Sequence, residues 1–252
     1  MLSRAAKVYL VGAGPGDPEL LTLKALRVLQ QADVVIHDRL VSAEVLALAN
    51  PDALFIYVGK WHGQQQEIQA EIYAHILHHL YKVETIVRLK SGDPLIFGRG
   101  GEELEFLAQH CIETEVVPGL SSALAAPALA GIPLTYRGVA ASLAIVAGHR
   151  QSLSELDWAV YRGVDTLVVL MGVEHRHEIA EALMAQGRSG SEPVAFIQHA
   201  STAREQVVES TLRDVALGRT RVEAPAVIVI GEVVRLRVKT GVLSTFASTK
   251  AD

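Results

Sequence analysis

Lys7-Val-Tyr-Leu-Val-Gly12 runs directly into Ala13-Gly-Pro-Gly-Asp-Pro18 and then into Glu19–Gln31. An apolar, β-branched run of strand length is followed by a glycine turn and a stretch of helical periodicity. Asp17 before Pro18 is a helix start signal, since aspartate caps the first amides and proline is tolerated at the first helical position. This strand–turn–helix unit recurs. Asp33–His37, Ala53–Val58, Glu84–Leu89 and Glu113–Val117 read as further strands, and Ser42–Ala49, Glu67–Tyr81 and Gly101–His110 as helices between them. Val34-Val-Ile-His37 is almost wholly apolar, as expected where helices cover both faces of a parallel sheet.

The texture changes after Pro118-Gly119. Leu120–Gly131 is an alanine-rich helix, Ala141–Ala147 and Thr166–Met171 are strands, and Val173–Gln186 is a helix. Val194–Gln198, Glu205–Ser210, Ala226–Gly231 and Val233–Val238 follow as consecutive strands, which predicts an antiparallel component. The expected architecture is α/β in two lobes, 1–118 with a mostly parallel sheet and 119–252 with a mixed one, and a cleft between them.

The 252 residues are 50% hydrophobic and 20% charged, the balance of a well-buried globular protein. No apolar run reaches membrane-spanning length, and the first residues lack a signal-peptide core. The single cysteine, Cys111, suits a reducing cytoplasm. A formal net charge of −5 argues against nucleic acid as a partner, so an anionic ligand has to be met by local arginines. His75, His78 and His79 share a helix, but no carboxylate or cysteine completes a metal set, and they read as a solvated face.

Gly12, Gly14 and Asp38 imitate parts of a dinucleotide fingerprint. Asp17 stands where the third glycine belongs and sets a carboxylate against a pyrophosphate, while Pro15 removes a backbone donor. These departures weigh against a nicotinamide or flavin site. A second loop, Arg88-Leu-Lys-Ser-Gly-Asp-Pro-Leu-Ile-Phe-Gly-Arg-Gly-Gly-Glu-Glu103, sets Arg99 among three glycines. Glycines permit close approach to a ligand, and a guanidinium there can clamp an anion; Glu102 and Glu103 also suit the N-terminus of the next helix.

Taken in order, Val8–Leu26, Asp38-Arg-Leu-Val-Ser42, Tyr57-Val-Gly-Lys60, Arg88–Glu103, Val116-Val-Pro-Gly-Leu-Ser-Ser122 and Ala130-Gly-Ile-Pro-Leu-Thr135 resemble the tetrapyrrole methylase family. Within it the likeness is strongest to the uroporphyrinogen-III C-methyltransferases, of the kind without a fused sirohaem synthase domain. The resemblance implies a homodimer that uses S-adenosylmethionine to methylate uroporphyrinogen III at C2 and C7, giving precorrin-2 for sirohaem or cobalamin biosynthesis. Alternatives are the same donor with a later corrin precursor or a diphthine-pathway acceptor, or a protein that binds donor or tetrapyrrole without turnover.

Carried over by motif, the donor site comprises Pro15, Ser91, Gly92, Asp93, Ile96, Ser121, Ser122, Met171 and Ala200. Asp38 and Lys60 match proton-transfer positions, Arg99 and Glu102 a pair acting at the substrate, and Arg39 and Arg137 substrate-carboxylate contacts. No metal is implied. The family turn usually reads Gly-Gly-Asp-Pro, so Ser91 would be strained if residue 91 had to take positive φ. Trp61 and His62 follow Lys60 where the family usually has Arg-Ala, Gly138 ends a Tyr-Arg-Gly in place of His-Arg-Asp, and Ala200 ends a Gln-His-Ala in place of Glu-Asn-Gly.

Overall fold

Alternate residues of the first strands point to opposite faces, and both faces are apolar. The computed structural model describes residues 5–59, 65–149 and 156–238, which fall in two compact units, 1–122 and 123–252. In the first unit β1 (Lys7–Gly12), β2 (Val34–His37), β3 (Leu54–Tyr57), β4 (Thr85–Lys90) and β5 (Thr114–Val117) form one sheet in the order β3-β2-β4-β1-β5. Every pairing is parallel. Val11, Val35, Val87 and Leu89 pack on one face with Ala25, Val28 and Leu29 of helix α1 (Leu23–Gln30) and Val45 of α2 (Ala43–Leu46). Val8, Leu10, Val34, Ile36 and Ile86 pack on the other with Ile72 and Ile76 of α3 (Gln65–His79) and Leu107 of α4 (Gly100–Gln109). Each of the valine, leucine and isoleucine side chains, fully buried, contributes about 1.5–3 kcal/mol of transfer free energy.

The helix expected over Glu19–Gln31 is two pieces. Asp17 does cap a helix, accepting from Glu19 N at 2.8 Å, but that helix is a single 3-10 turn, Pro18–Leu20. Thr22 is extended (ψ 146°) and its hydroxyl caps α1, accepting from Ala25 N at 3.1 Å. A threonine whose oxygen can reach a nearby amide competes with helix continuation, and here it restarts the chain.

The second unit holds β6 (Leu143–Ala147), β7 (Thr166–Leu170), β8 (Pro193–Gln198), β9 (Gln206–Thr211) and β10 (Ala226–Ile230), in the order β6-β7-β10-β8-β9. Only β6 and β7 run parallel; the other neighbours are antiparallel. Helices α5 (Ser122–Leu129), α6 (Arg176–Ala185) and α7 (Leu212–Ala216) accompany it. The strand expected over Val233–Val238 is instead a 3-10 helix, Glu232–Leu236. Gly231 (φ +141°) turns the chain there, and Glu232 and Arg235 pair at 2.9 Å, since positions i and i+3 eclipse on a 3-10 turn. Helix α7 is foreshadowed by Thr211, whose hydroxyl accepts from Asp214 N at 3.2 Å.

Glu115 on edge strand β5 pairs with Lys7 of β1 at 2.7 Å and with Lys24 of α1, and these ammonium groups lower its pKa from the ordinary 4.5 to about 2. A carboxyl depressed in the folded state stabilises it above the unfolded value and loses that contribution as pH falls toward the folded one. Glu115→Gln should therefore lower the melting temperature at pH 7 by a modest amount, with the difference closing between pH 4.5 and pH 2. A constant offset in melting curves down to pH 2 would contradict the ion pairs.

Candidate active site

In a parallel sheet the carboxyl ends of all strands lie along one edge, where ligands of α/β proteins are commonly bound. Three glycine loops meet at that edge of the first unit. Gly14 and Gly92 exchange backbone hydrogen bonds, N to O at 3.2 Å and 2.8 Å, and Ala13 N donates to Lys90 O at 2.7 Å. A Cβ on Gly12 would fall 2.6 Å from Gly119 Cα and from Gly92 O. Gly12 is thus required by the other two loops, and Gly14 by its own left-handed conformation (φ +70°). Asp93 ties the arrangement together: Oδ1 accepts from Leu95 N at 2.9 Å and Oδ2 from Gly119 N at 3.1 Å. Ser42 Oγ, which caps α2, also donates to Gly16 O at 2.7 Å.

The left-handed residue of the turn is Gly92 (φ +68°), not Ser91, so the serine there carries no such strain. The open side of Gly92 lies toward Ser121 Cα and Ser122 N, at 3.7 and 3.8 Å from where its Cβ would be. Pro15, Ser91, Gly92, Asp93, Ser121 and Ser122 are therefore gathered at one place. Beyond it the chain takes positive φ again at Phe97 (+52°) and Arg99 (+57°), and Gly98 and Gly100 leave room for Pro94 O.

Beneath these loops lies a line of charge. Arg88 and Lys90 are each 2% exposed, and Glu103 is fully buried. Glu103 Oε1 accepts from Lys90 Nζ at 2.7 Å and from Arg88 Nε at 3.3 Å, and the far end of the Arg88 guanidinium bonds Asp38. Burial opposes the Arg88 charge, but Asp38 and Glu103 overcome it and leave its pKa raised; for Lys90, burial and the neighbouring Arg88 prevail and its pKa is lowered. Glu103, expected to favour a helix N-terminus, is thus a buried counter-ion. The sequence signal for this network was two cations inside an apolar parallel strand, where side chains on both faces are buried.

The family model for tetrapyrrole (corrin/porphyrin) methylases matches residues 7–216. The chain is a tetrapyrrole methylase. This methylase is 44% identical to the uroporphyrinogen-III C-methyltransferase of Priestia megaterium, over 90% of its own length and 98% of that protein's. It spans about half the length of the siroheme synthases it matches, among them that of Chromobacterium violaceum (46% identity over 92% of this chain and 50% of the relative). Among solved structures it is similar to uroporphyrin-III C-methyl transferase from Thermus thermophilus complexed with S-adenyl homocysteine, with TM-score 0.81, 49% identity and coverage of 92% and 100% of the two chains. A cobalt precorrin-4 methyltransferase structure aligns at TM-score 0.76 and 26% identity, over 90% and 95%.

Arg99 Nε donates to both Glu102 carboxylate oxygens, at 3.1 and 2.9 Å, so this pair of the methylase is formed on the surface. Its hydrogen bond to Glu102 raises the Arg99 pKa further above the ordinary value. Asp38 is half-buried and held by Arg88, while Arg39, Leu95 and Ile96 are exposed. Met171 (φ +57°, exposed), Ala200 and Arg137 belong to the second unit. Lys60 and Trp61 lie outside the described residues. Cys111 follows the C-cap of α4 and is exposed. Among the described residues no group of three His, Cys, Asp or Glu could hold a metal, and no helix is long and apolar enough to cross a membrane.

Proposed function

We propose that this chain transfers methyl groups from S-adenosylmethionine to C2 and C7 of uroporphyrinogen III, giving precorrin-2. The observation that carries this reading is the likeness to the Priestia megaterium methyltransferase across nearly the whole of both chains. The edge of the first sheet suits a sulfonium donor. Loop amides and the Ser121 and Ser122 hydroxyls can meet its carboxylate and ribose, and the exposed Ile96 offers apolar surface. The donor supplies an already activated methyl group, so the protein contributes mainly alignment with the pyrrole carbon.

Methylation leaves a cationic macrocycle that must lose a meso proton, and Asp38 is assigned as the base that takes it. Lys60 is assigned as proton donor or propionate partner, and Arg39 and Arg137 as further carboxylate contacts. Arg99 clamps a substrate carboxylate and Glu102 orients it; a guanidinium held protonated by its neighbour is poorly suited to accept a proton. Met171 and Ala200 complete the donor set. Exposed Leu54, Phe55 and Tyr57 on β3 leave apolar surface for a second copy in a homodimer, and the exposed Cys111 suits the cytoplasm.

The deciding experiment is anaerobic incubation of the purified protein with uroporphyrinogen III and S-adenosylmethionine, followed by mass spectrometry and NMR of the product. Two added methyl groups at C2 and C7 are expected. An inert acceptor, with turnover on a later corrin precursor, would transfer the reading to the activity named for the cobalt precorrin-4 relative. Arg99→Lys tests the clamp. Loss of one charge-assisted hydrogen bond, about 1.5–3 kcal/mol, should raise the acceptor KM roughly 10–100-fold and leave the donor KM unchanged. An unchanged acceptor KM would remove the fork from the argument.

A further inference from the structure

Arg88 occupies a strand position that an aliphatic residue would fill at lower cost. Its neighbours in register are Leu10 and Ile36, both fully buried. Replacing a buried ion cluster by apolar side chains of similar volume is often neutral or stabilising, so stability alone does not account for Arg88, Lys90 and Glu103 here. The guanidinium is fixed from several directions: Nε by Glu103 at 3.3 Å, and Nη1 by the carbonyls of Ile36 at 3.4 Å and Leu89 at 3.2 Å. Lys90 holds Glu103 in turn, at 2.7 Å. The Arg88 hydrogen-bond partners Glu103, Ile36 and Leu89 are buried, and Asp38, whose side chain is 32% exposed, is the exception. The network therefore spends its rigidity on one half-exposed carboxylate at the ligand-binding edge of the sheet.

We propose that Arg88 is a positioning residue, locked by Glu103 and two strand carbonyls, that fixes the Asp38 carboxylate for removal of the meso proton after methyl transfer. This rests on the assignment of Asp38 as base. In that step the meso C–H bond breaks, its electron pair enters the cationic macrocycle and neutralises it, and the proton passes to Asp38. Arg88 occupies Oδ1, so the proton is assigned to Oδ2. Lys90 and Glu103 keep the cluster balanced, two charges of each sign, while Arg88 serves both carboxylates.

The test is a double-mutant cycle between Asp38→Asn and Arg88→Met, read as S-adenosylhomocysteine release from S-adenosylmethionine and uroporphyrinogen III. Calorimetric binding of S-adenosylhomocysteine and thermal melting accompany each variant. Because Arg88→Met alone leaves excess buried negative charge, Arg88→Met with Glu103→Gln is the second form, removing one charge of each sign. Asp38→Asn should lower kcat about 10²–10⁴-fold, the worth of a general base. The Arg88 variants should lower kcat roughly 10²-fold, the cost of misplacing a reacting group by about an ångström, with donor affinity retained. Adding either Arg88 form to Asp38→Asn should cause no further loss, and Arg88→Lys should regain part of the rate. Full turnover in Asp38→Asn would overturn the base and this inference with it. Loss in Asp38→Asn, combined with wild-type kcat in a folded Arg88 variant or with multiplying losses in the combination, would overturn the positioning role alone.

Discussion

Glu103→Ala is expected to destabilise the protein by about 3–5 kcal/mol, the usual penalty for removing one partner of a buried ion pair. The substitution leaves Arg88 and Lys90 two residues apart on β4, both 2% exposed, with their shared carboxylate gone. Urea unfolding should report a lower midpoint with an unchanged slope. The deficit should also depend on pH in a definite direction. Burial and Arg88 already lower the Lys90 pKa, so between that lowered value and 10.5 the folded state binds fewer protons than the unfolded one. Stability contributed through Lys90 then rises with pH across that window, and the deficit of the variant should shrink as neutral Lys90 becomes dominant. A loss below about 1 kcal/mol at neutral pH would mean that the cluster does not depend on its carboxylate.

Gly119→Ala is the second large effect. Its Cβ would lie 2.8 Å from Gly12 C and Cα and closer still to Gly92 O, all backbone atoms that cannot rotate away. Overpacking of this kind costs about 1–3 kcal/mol. The larger consequence falls on the proposed donor loops, where kcat/KM for S-adenosylmethionine should drop roughly 10²-fold as the Ser91–Asp93 turn shifts by about an ångström. Gly101→Ala, a few residues from that turn, is the contrast. Nothing lies within 4 Å of its Cβ and its φ is outside the left-handed region, so alanine should be accepted there without the loss of stability expected for Gly119→Ala. Equal behaviour of the two variants in melting and kinetics would dismiss the interlocked loops.

The parallel sheet is legible in the sequence because its strands are buried on both faces and announce themselves as apolar runs, as Val34–Ile36 does. The break at Thr22 is not, because threonine is compatible with a helix interior and only its hydroxyl bond to Ala25 N converts it into a cap. Val233 and Val234 read as strand by composition, yet a glycine turn at 231 and an i,i+3 ion pair decide for a 3-10 helix. At the site, motif order pointed to the three glycine loops that meet at the sheet edge and to the Arg99–Glu102 pair. Arg88 and Lys90 stand out in the sequence only as cations within an apolar strand; that they share Glu103 is a matter of burial and contact across β4 and α4, which residue order does not express.

Gly12, Gly92 and Gly119 come from distant parts of the chain, and their interlock exists only once β1, β4 and β5 stand side by side. Such contacts carry a large loop-closure entropy, so they are expected to form late in folding. The proposed donor cradle is thus among the last features to assemble. A donor molecule seated in it would then protect the protein chiefly by delaying the loss of the native state. On that reading, supply of the methyl donor would set how long each folded molecule lasts.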